Sequence, residues 1–178
     1  MFDRIAIHRP RCAAVRAAVT SPARAAASPS LDFVGGCETA GVLETMGAEH
    51  RARWHAGAPS FSVPTTTMAD VLKGRLDYVD FFSLDVEGHE LEVLEGFPWG
   101  AVPVGVLLFE ALDVHKAAAA ACRDLLRART PLRFAARCGR SAAGCSEVWC
   151  DPEYFRRDRL FLADAARPQH DGWRRAEL

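Results

Sequence analysis

Two apolar runs dominate the pattern of hydrophobic and polar positions. Residues 78–86 read Tyr-Val-Asp-Phe-Phe-Ser-Leu-Asp-Val, and residues 104–109 read Val-Gly-Val-Leu-Leu-Phe. Runs this apolar, rich in Val and Phe, are what parallel strands covered on both faces present, so both are expected as neighbouring strands in the middle of a sheet. Between them Glu90-Leu-Glu-Val-Leu-Glu95 sets Leu91 and Leu94 three apart among acids, a short amphipathic helix stopped by Gly96 and Pro98. Val114 to Arg129, rich in Ala, Leu and Arg, predicts a longer helix. Leu132 to Arg137 and Glu147 to Cys150 read as later strands joined by a Gly/Ser/Ala loop, an antiparallel hairpin at the sheet edge.

The upstream signals are shorter. Cys12 to Val19, closed by Thr20-Ser21-Pro22, suits a buried strand and turn, although the acid-free Ala, Arg and Ser composition of Arg9 to Ser30 equally suits an organelle transit peptide. Phe61-Ser-Val-Pro64 is a short extended piece, and Thr67 is expected to cap a helix over Met68 to Lys73. Ala23 to Ala58, with one strand candidate at Leu31-Asp-Phe-Val34, reads as an irregular connection. Strands alternating with helices predict an open α/β sheet with helices on both faces, and the polar tail after Leu162 is expected to fray.

Composition narrows the partners more than the fold. The chain has 178 residues, 49% of them hydrophobic, and 22 Lys and Arg against 23 Asp and Glu. A net charge of -1 provides no field to gather nucleic acid or an anionic membrane. No apolar stretch approaches the roughly 20 residues of a membrane span, so the chain is expected to be soluble, cytoplasmic by default with organelle targeting open. The six cysteines form no Cys-x-x-Cys pair and read as reduced thiols.

Chemistry is expected at the strand ends, because open parallel sheets bind ligands outside the carboxyl ends of their strands. Asp85 and Glu87 close the first strong strand and Glu110 closes the next. Asp85 interrupts a run expected to be buried, where an unpaired carboxylate costs several kcal/mol, so it is read as serving a ligand. Glu87 has two readings, a helix cap or a site residue. His89 reads as a solvated first-turn residue, or as part of a metal clasp with Asp85, Glu87 and Glu110, to which Asp113 and His115 would add ligands. Gly35-Gly-Cys-Glu-Thr-Ala-Gly41 matches no phosphate-binding motif, and no Gly-x-Ser-x-Gly nucleophile elbow is present.

Three blocks together closely resemble FkbM-family methyltransferases, which use S-adenosylmethionine: Phe61-Ser-Val-Pro-Thr-Thr-Thr-Met68, the block from Val79 through Asp85-Val-Glu-Gly-His-Glu90 to Gly96, and Val106-Leu-Leu-Phe-Glu110. The similarity extends to Arg9 to Val19, which looks like the family's third strand, and to Glu147-Val-Trp-Cys-Asp-Pro152. It implies a Rossmann-like sheet, mostly parallel with an antiparallel edge hairpin, and methyl transfer to a hydroxyl of a small molecule or glycan. It would set Asp85 beside the cofactor's sulfonium and the acceptor, with Ala18 and Val19 bordering the adenine. Glu87 and Glu110 would serve as base, acceptor-positioning or metal-binding groups.

The family's first strand with its Gly-rich turn, and its second strand with a ribose-binding acid, have no counterpart in the sequence. Residues 1–162 are therefore expected to form a partial methyltransferase domain, with 163–178 as a polar tail, and the chain to bind S-adenosylmethionine weakly. The rival readings are a non-catalytic remnant or binding module of the same fold, and a metal-dependent hydrolase built on Asp85, Glu87, His89 and Glu110.

Overall fold

The computed structural model describes residues 5, 7–36, 39–111, 116–141 and 144–156. The C-terminal tail, Asp113 and His115 lie outside the described residues. The fold is mixed α/β, with strands in two four-stranded sheets. The first contains β1 (Ala18–Val19), β2 (Ser30–Val34), β3 (Gly41–Val42) and β4 (Ser60–Thr66) in the order β1-β4-β2-β3. The second contains β5 (Val79–Leu84), β6 (Val104–Glu110), β7 (Arg133–Ser141) and β8 (Gly144–Cys150) in the order β5-β6-β8-β7. The helices are α1 (Pro22–Ala27), α2 (Ala48–Trp54), α3 (Met68–Leu72), α4 (Glu90–Glu95), α5 (Lys116–Arg129) and α6 (Pro152–Arg156).

The sheets are less parallel than the expected mostly parallel arrangement. Among the described strands only β1 with β4 and β5 with β6 run parallel. The other four pairings are antiparallel. Connection length accounts for the parallel β5–β6 pair and for the hairpin. The β5–β6 crossover through residues 85–103 includes a helix and is long enough to return the chain in the same direction, whereas β7 and β8 are separated by two residues and must fold back. The strand expected at Leu31–Val34 is β2, and the rest of the segment read as an irregular connection holds α1, β3 and α2.

β5 and β6 are parallel neighbours, as their apolar runs suggest, with Ser83 beside Leu108 and Leu84 beside Phe109. β6 is the inner strand, but β5 is an edge among the described strands, and Phe81 on it is 56% exposed. An apolar run reports hydrophobicity, not how many neighbours a strand has, so the expected central position of β5 is corrected. The main core lies where α4 and α5 cover this sheet: Leu94, Leu107, Phe109, Leu126 and Trp149 are fully buried there. Beneath α5, Arg123 makes three contacts of 2.8 to 3.1 Å to the buried Glu147, which also accepts from the Trp149 indole at 3.2 Å. A buried carboxylate in a core needs this kind of pairing.

Short local signals set the remaining helices. Thr67 caps α3, accepting from the Asp70 amide at 3.1 Å, a contact worth about 1 kcal/mol. Gly96 ends α4 with φ −82, so it stops the helix without the left-handed turn that glycine usually supplies. Its lack of a side chain matters for another reason, because a Cβ there would overlap the carbonyl oxygen of Thr20. The end of β1 thus packs directly on the end of α4.

His89 locks the same contact from the other end of α4. It was expected in solvent, yet it is 2% exposed. Its Nε2 lies 3.1 Å from the Thr20 hydroxyl and its Nδ1 3.1 Å from the Thr45 hydroxyl, joining the end of β1, the loop after β3 and the start of α4. Thr20 in turn donates to Glu92 at 3.4 Å and Thr45 to the Val42 carbonyl at 3.5 Å, so the ring and the two hydroxyls belong to one buried network. Burial pushes the His89 pKa down from 6.5 to about 4.

Between pH 6.5 and 4 the unfolded chain therefore binds the proton that folded His89 refuses, and stability falls with pH through that window. The full difference is about 3 kcal/mol. Urea unfolding of the wild type and His89→Gln across pH 4 to 7 should show this extra acid loss in the wild type alone. Parallel curves would contradict a buried neutral imidazole.

Candidate functional site

β5 ends at Leu84, and the chain turns through residues 85–89 before α4 begins. Glu87 has φ 55, a left-handed conformation that costs a non-glycine residue about 1 kcal/mol or more, and Gly88 follows with φ 100. Two features hold this turn. Glu90 Oε1 accepts the amides of Val86 at 3.0 Å and Gly88 at 3.3 Å, while Gly41 lets the turn approach β3, since a Cβ on Gly41 would meet that of Glu87 at 3.0 Å. Glu87 does not cap α4, whose N-terminus has no side-chain cap, and the turn is instead held by Glu90, which is itself buried.

The turn changes the position of Asp85. It follows the last paired residue of β5 and is exposed, so the expectation that it sits buried in a strand is corrected. One step beyond the Leu84–Phe109 pair, the parallel register carries Asp85 alongside Glu110, the last residue of β6. Glu110 is half-buried, and its Oε2 is shielded from solvent with no hydrogen-bond partner among the described residues. Burial raises its pKa to about 8, helped by the negative fields of Asp85, Glu87 and Glu90 and by a hydrogen bond with Asp85. At neutral pH Glu110 is therefore held toward its protonated form beside the exposed Asp85.

Glu87 completes the group by a different route. Burial raises its carboxyl above the usual range, partly offset by His50, whose Nδ1 lies 3.4 Å from Glu87 Oε2. His50 comes from α2, and its Nε2 reaches the Thr39 carbonyl at 3.1 Å. His55 binds the same carbonyl at 2.7 Å. The three sequence-predicted acids thus share one edge, joined by Glu90, His50 and His55.

His89 does not join them. Both of its ring nitrogens are engaged by threonines, so it is turned away from the carboxylates, and a metal clasp of Asp85, Glu87, His89 and Glu110 does not assemble. Among the described residues no group of three or more His, Cys, Asp and Glu is arranged to hold a metal ion. Ala18 is 2% exposed against Leu31 and Val42, and Val19 is half-buried against the main core. The next residue, Thr20, bonds His89 at the start of α4. A cavity of about 350 Å³ lies over α2, lined by Leu43, Met46, Arg51 and His55 among others, and none of the carboxylates lines it.

Sequence reasoning missed Thr20, Thr45, His50 and His55. All four fall in segments read as turn or irregular connection, with no periodicity to mark them. No helix among the described residues is long and apolar enough to cross a membrane.

No curated protein and no solved structure matches the chain. The methyltransferase FkbM domain model matches residues 33–139, a span that runs from β2 into β7 and contains Asp85, Glu87, Glu90, Glu110, His50 and His55. That match covers more than half of the chain and includes the whole carboxylate edge, and the chain belongs to the FkbM methyltransferase family.

Proposed function

We propose that the chain transfers a methyl group from S-adenosylmethionine to a hydroxyl of a small molecule or glycan, with Asp85 as the catalytic carboxylate. The observation that carries this reading is the juxtaposition of the exposed Asp85 and the half-buried Glu110 at the carboxyl ends of two parallel strands. The edge suits a cationic cofactor: it holds several acids close together, and Glu110 Oε2 is shielded without a partner. When bound, S-adenosylmethionine supplies an electrophilic methyl group. The protein's share of an in-line displacement is to align the acceptor and remove its proton.

Asp85 is placed for both tasks. It is open to solvent and so to an incoming hydroxyl, while Glu110 behind it contributes a hydrogen bond rather than a second charge. Ala18 and Val19 border the adenine in this reading. Support comes from the hydrogen bond between Thr20 and His89, which ties the end of β1 to the same edge, and the inward packing of Ala18 leaves the strand end as the contact surface.

Two outcomes are expected. Asp85→Asn should keep its thermal stability but slow methyl transfer from tritiated S-adenosylmethionine by about 100-fold or more, the scale of a lost acid–base group. Unchanged turnover in a stable Asp85→Asn would move the catalytic role to Glu110. Separately, folded Glu110 retains its proton up to about 8 whereas the unfolded residue loses it near 4.5, so wild-type stability should fall as pH rises between these values. Denaturant titrations should show Glu110→Gln gaining on the wild type through that window. A constant difference from pH 5 to 8 would mean that Glu110 is ionised in the fold.

A further inference from the structure

The cavity of about 350 Å³ over α2 shares only His55 with the residues around the carboxylate edge. Ala48, Arg51, Ala52 and His55 recur at three- and four-residue spacing, so they share one side of α2 and its cap, and Leu43 and Met46 line the cavity from the loop after β3. Two parts of the wall are fixed by packing. Met46 is 6% exposed and His55 is 4% exposed. The His55 ring lies against the backbone of Gly35, where a Cβ would fall 2.4 Å from Cε1, and its Nε2 is 2.7 Å from the Thr39 carbonyl oxygen. The wall is therefore formed before any ligand arrives.

Charge and position restrict what such a cavity takes. Its lining is apolar apart from His55 and Arg51, no acid lines it, and Arg51 makes no ion pair among the described residues. A guanidinium is a rigid fork of donors that matches a carboxylate. Small-molecule sites combine a mostly apolar wall, which supplies affinity, with a few polar groups that fix orientation. The cavity also adjoins the carboxylate edge. A Cβ on Gly41 would lie 3.1 Å from Met46 Cε and 3.0 Å from Glu87 Cβ, so the Met46 wall and the Glu87 turn meet over the same glycine. The His55 ring is 5.6 Å from that of His50, whose Nδ1 is 3.4 Å from Glu87 Oε2.

We propose that this cavity is the acceptor pocket, and that the acceptor is a hydroxy acid: Arg51 holds its carboxylate, Leu43 and Met46 carry its apolar body, and the hydroxyl at its far end reaches the edge beside Glu87 and Asp85. This rests on the reading of that edge as the methyl-transfer site, and it narrows the acceptor to a small amphipathic anion. Electrostatics sets the direction of entry, because a carboxylate is drawn to Arg51 and repelled by the acids of the edge, which leaves the uncharged end for the edge. A glycan fits less well, since its hydroxyls would lose water against the Leu43–Met46 wall without gaining partners there.

Nuclear magnetic resonance titration of the ¹⁵N-labelled full chain tests this with 10-hydroxydecanoate as the probe and the uncharged 1,10-decanediol beside it. The acid should shift the backbone amides of Leu43, Met46, Ala52 and Gly57, and decanoate, which lacks the hydroxyl, should shift the same amides but not those of residues 86–88. Arg51 and Ala52 are both exposed on α2, so substitutions there should leave the fold intact. Arg51→Gln should weaken the acid by about tenfold or more, the scale of a lost hydrogen bond to a charged group, and leave the diol unchanged. Ala52→Trp, which fills the cavity, should abolish binding of both. Shifts that avoid the cavity amides, equal affinity for the acid in Arg51→Gln, or identical shifts at 86–88 from decanoate each overturn the proposal. The titration needs neither cofactor nor turnover, so its failure leaves the Asp85 kinetics to be judged separately, and unchanged turnover in Asp85→Asn removes that residue's role while the cavity shifts stand.

Discussion

A neutral imidazole placed where water cannot reach it ties the elements around the site together. His89 spends one ring nitrogen on Thr20 and the other on Thr45, so the end of β1, the loop after β3 and the start of α4 meet at a single ring. Burial depresses its pKa to about 4, which keeps the ring uncharged between the two hydroxyls. Gly96 allows the far end of α4 to close against the carbonyl of Thr20. Because α4 follows directly from the turn that carries Asp85 and Glu87, anchoring the helix at both ends also fixes the carboxylates.

The acidic edge has to manage its own repulsion, and it does so in a different way at each residue. Glu110, half-buried, keeps its proton. Glu87 meets an imidazole. Glu90 spends one oxygen on two backbone amides. Asp85 remains exposed, where water screens its charge until something displaces that water. The result is one open carboxylate against a background of acids that are neutral or engaged, a cheaper arrangement than several bare charges in a low-dielectric edge.

Much of this was legible in the sequence, and the residues that were not have a common cause. The apolar runs of β5 and β6 marked parallel neighbours, the Thr67 cap marked α3, and the Asp85-Val-Glu-Gly block carried the family. Hydrophobicity could not distinguish an edge from a central strand, so β5 was placed too deep and Asp85 with it. His89 looked solvated because its neighbours in sequence are Gly88 and Glu90, while its partners Thr20 and Thr45 lie 69 and 44 residues away. His50 and His55 were hidden in a stretch without periodicity, and only the long-range fold brings them to the turn.

If the His89 ring organises the edge, weakening one of its two bonds should loosen both ends of the network together. Amide hydrogen exchange in Thr45→Val tests this directly, since the substitution removes the hydroxyl and little volume. Exchange should quicken in common at residues 20–21 and 86–90, while the β6–β8 ladder keeps its protection. Faster exchange confined to residues 42–46, with the turn after β5 as protected as in the wild type, would show that the carboxylate edge is held in place without His89.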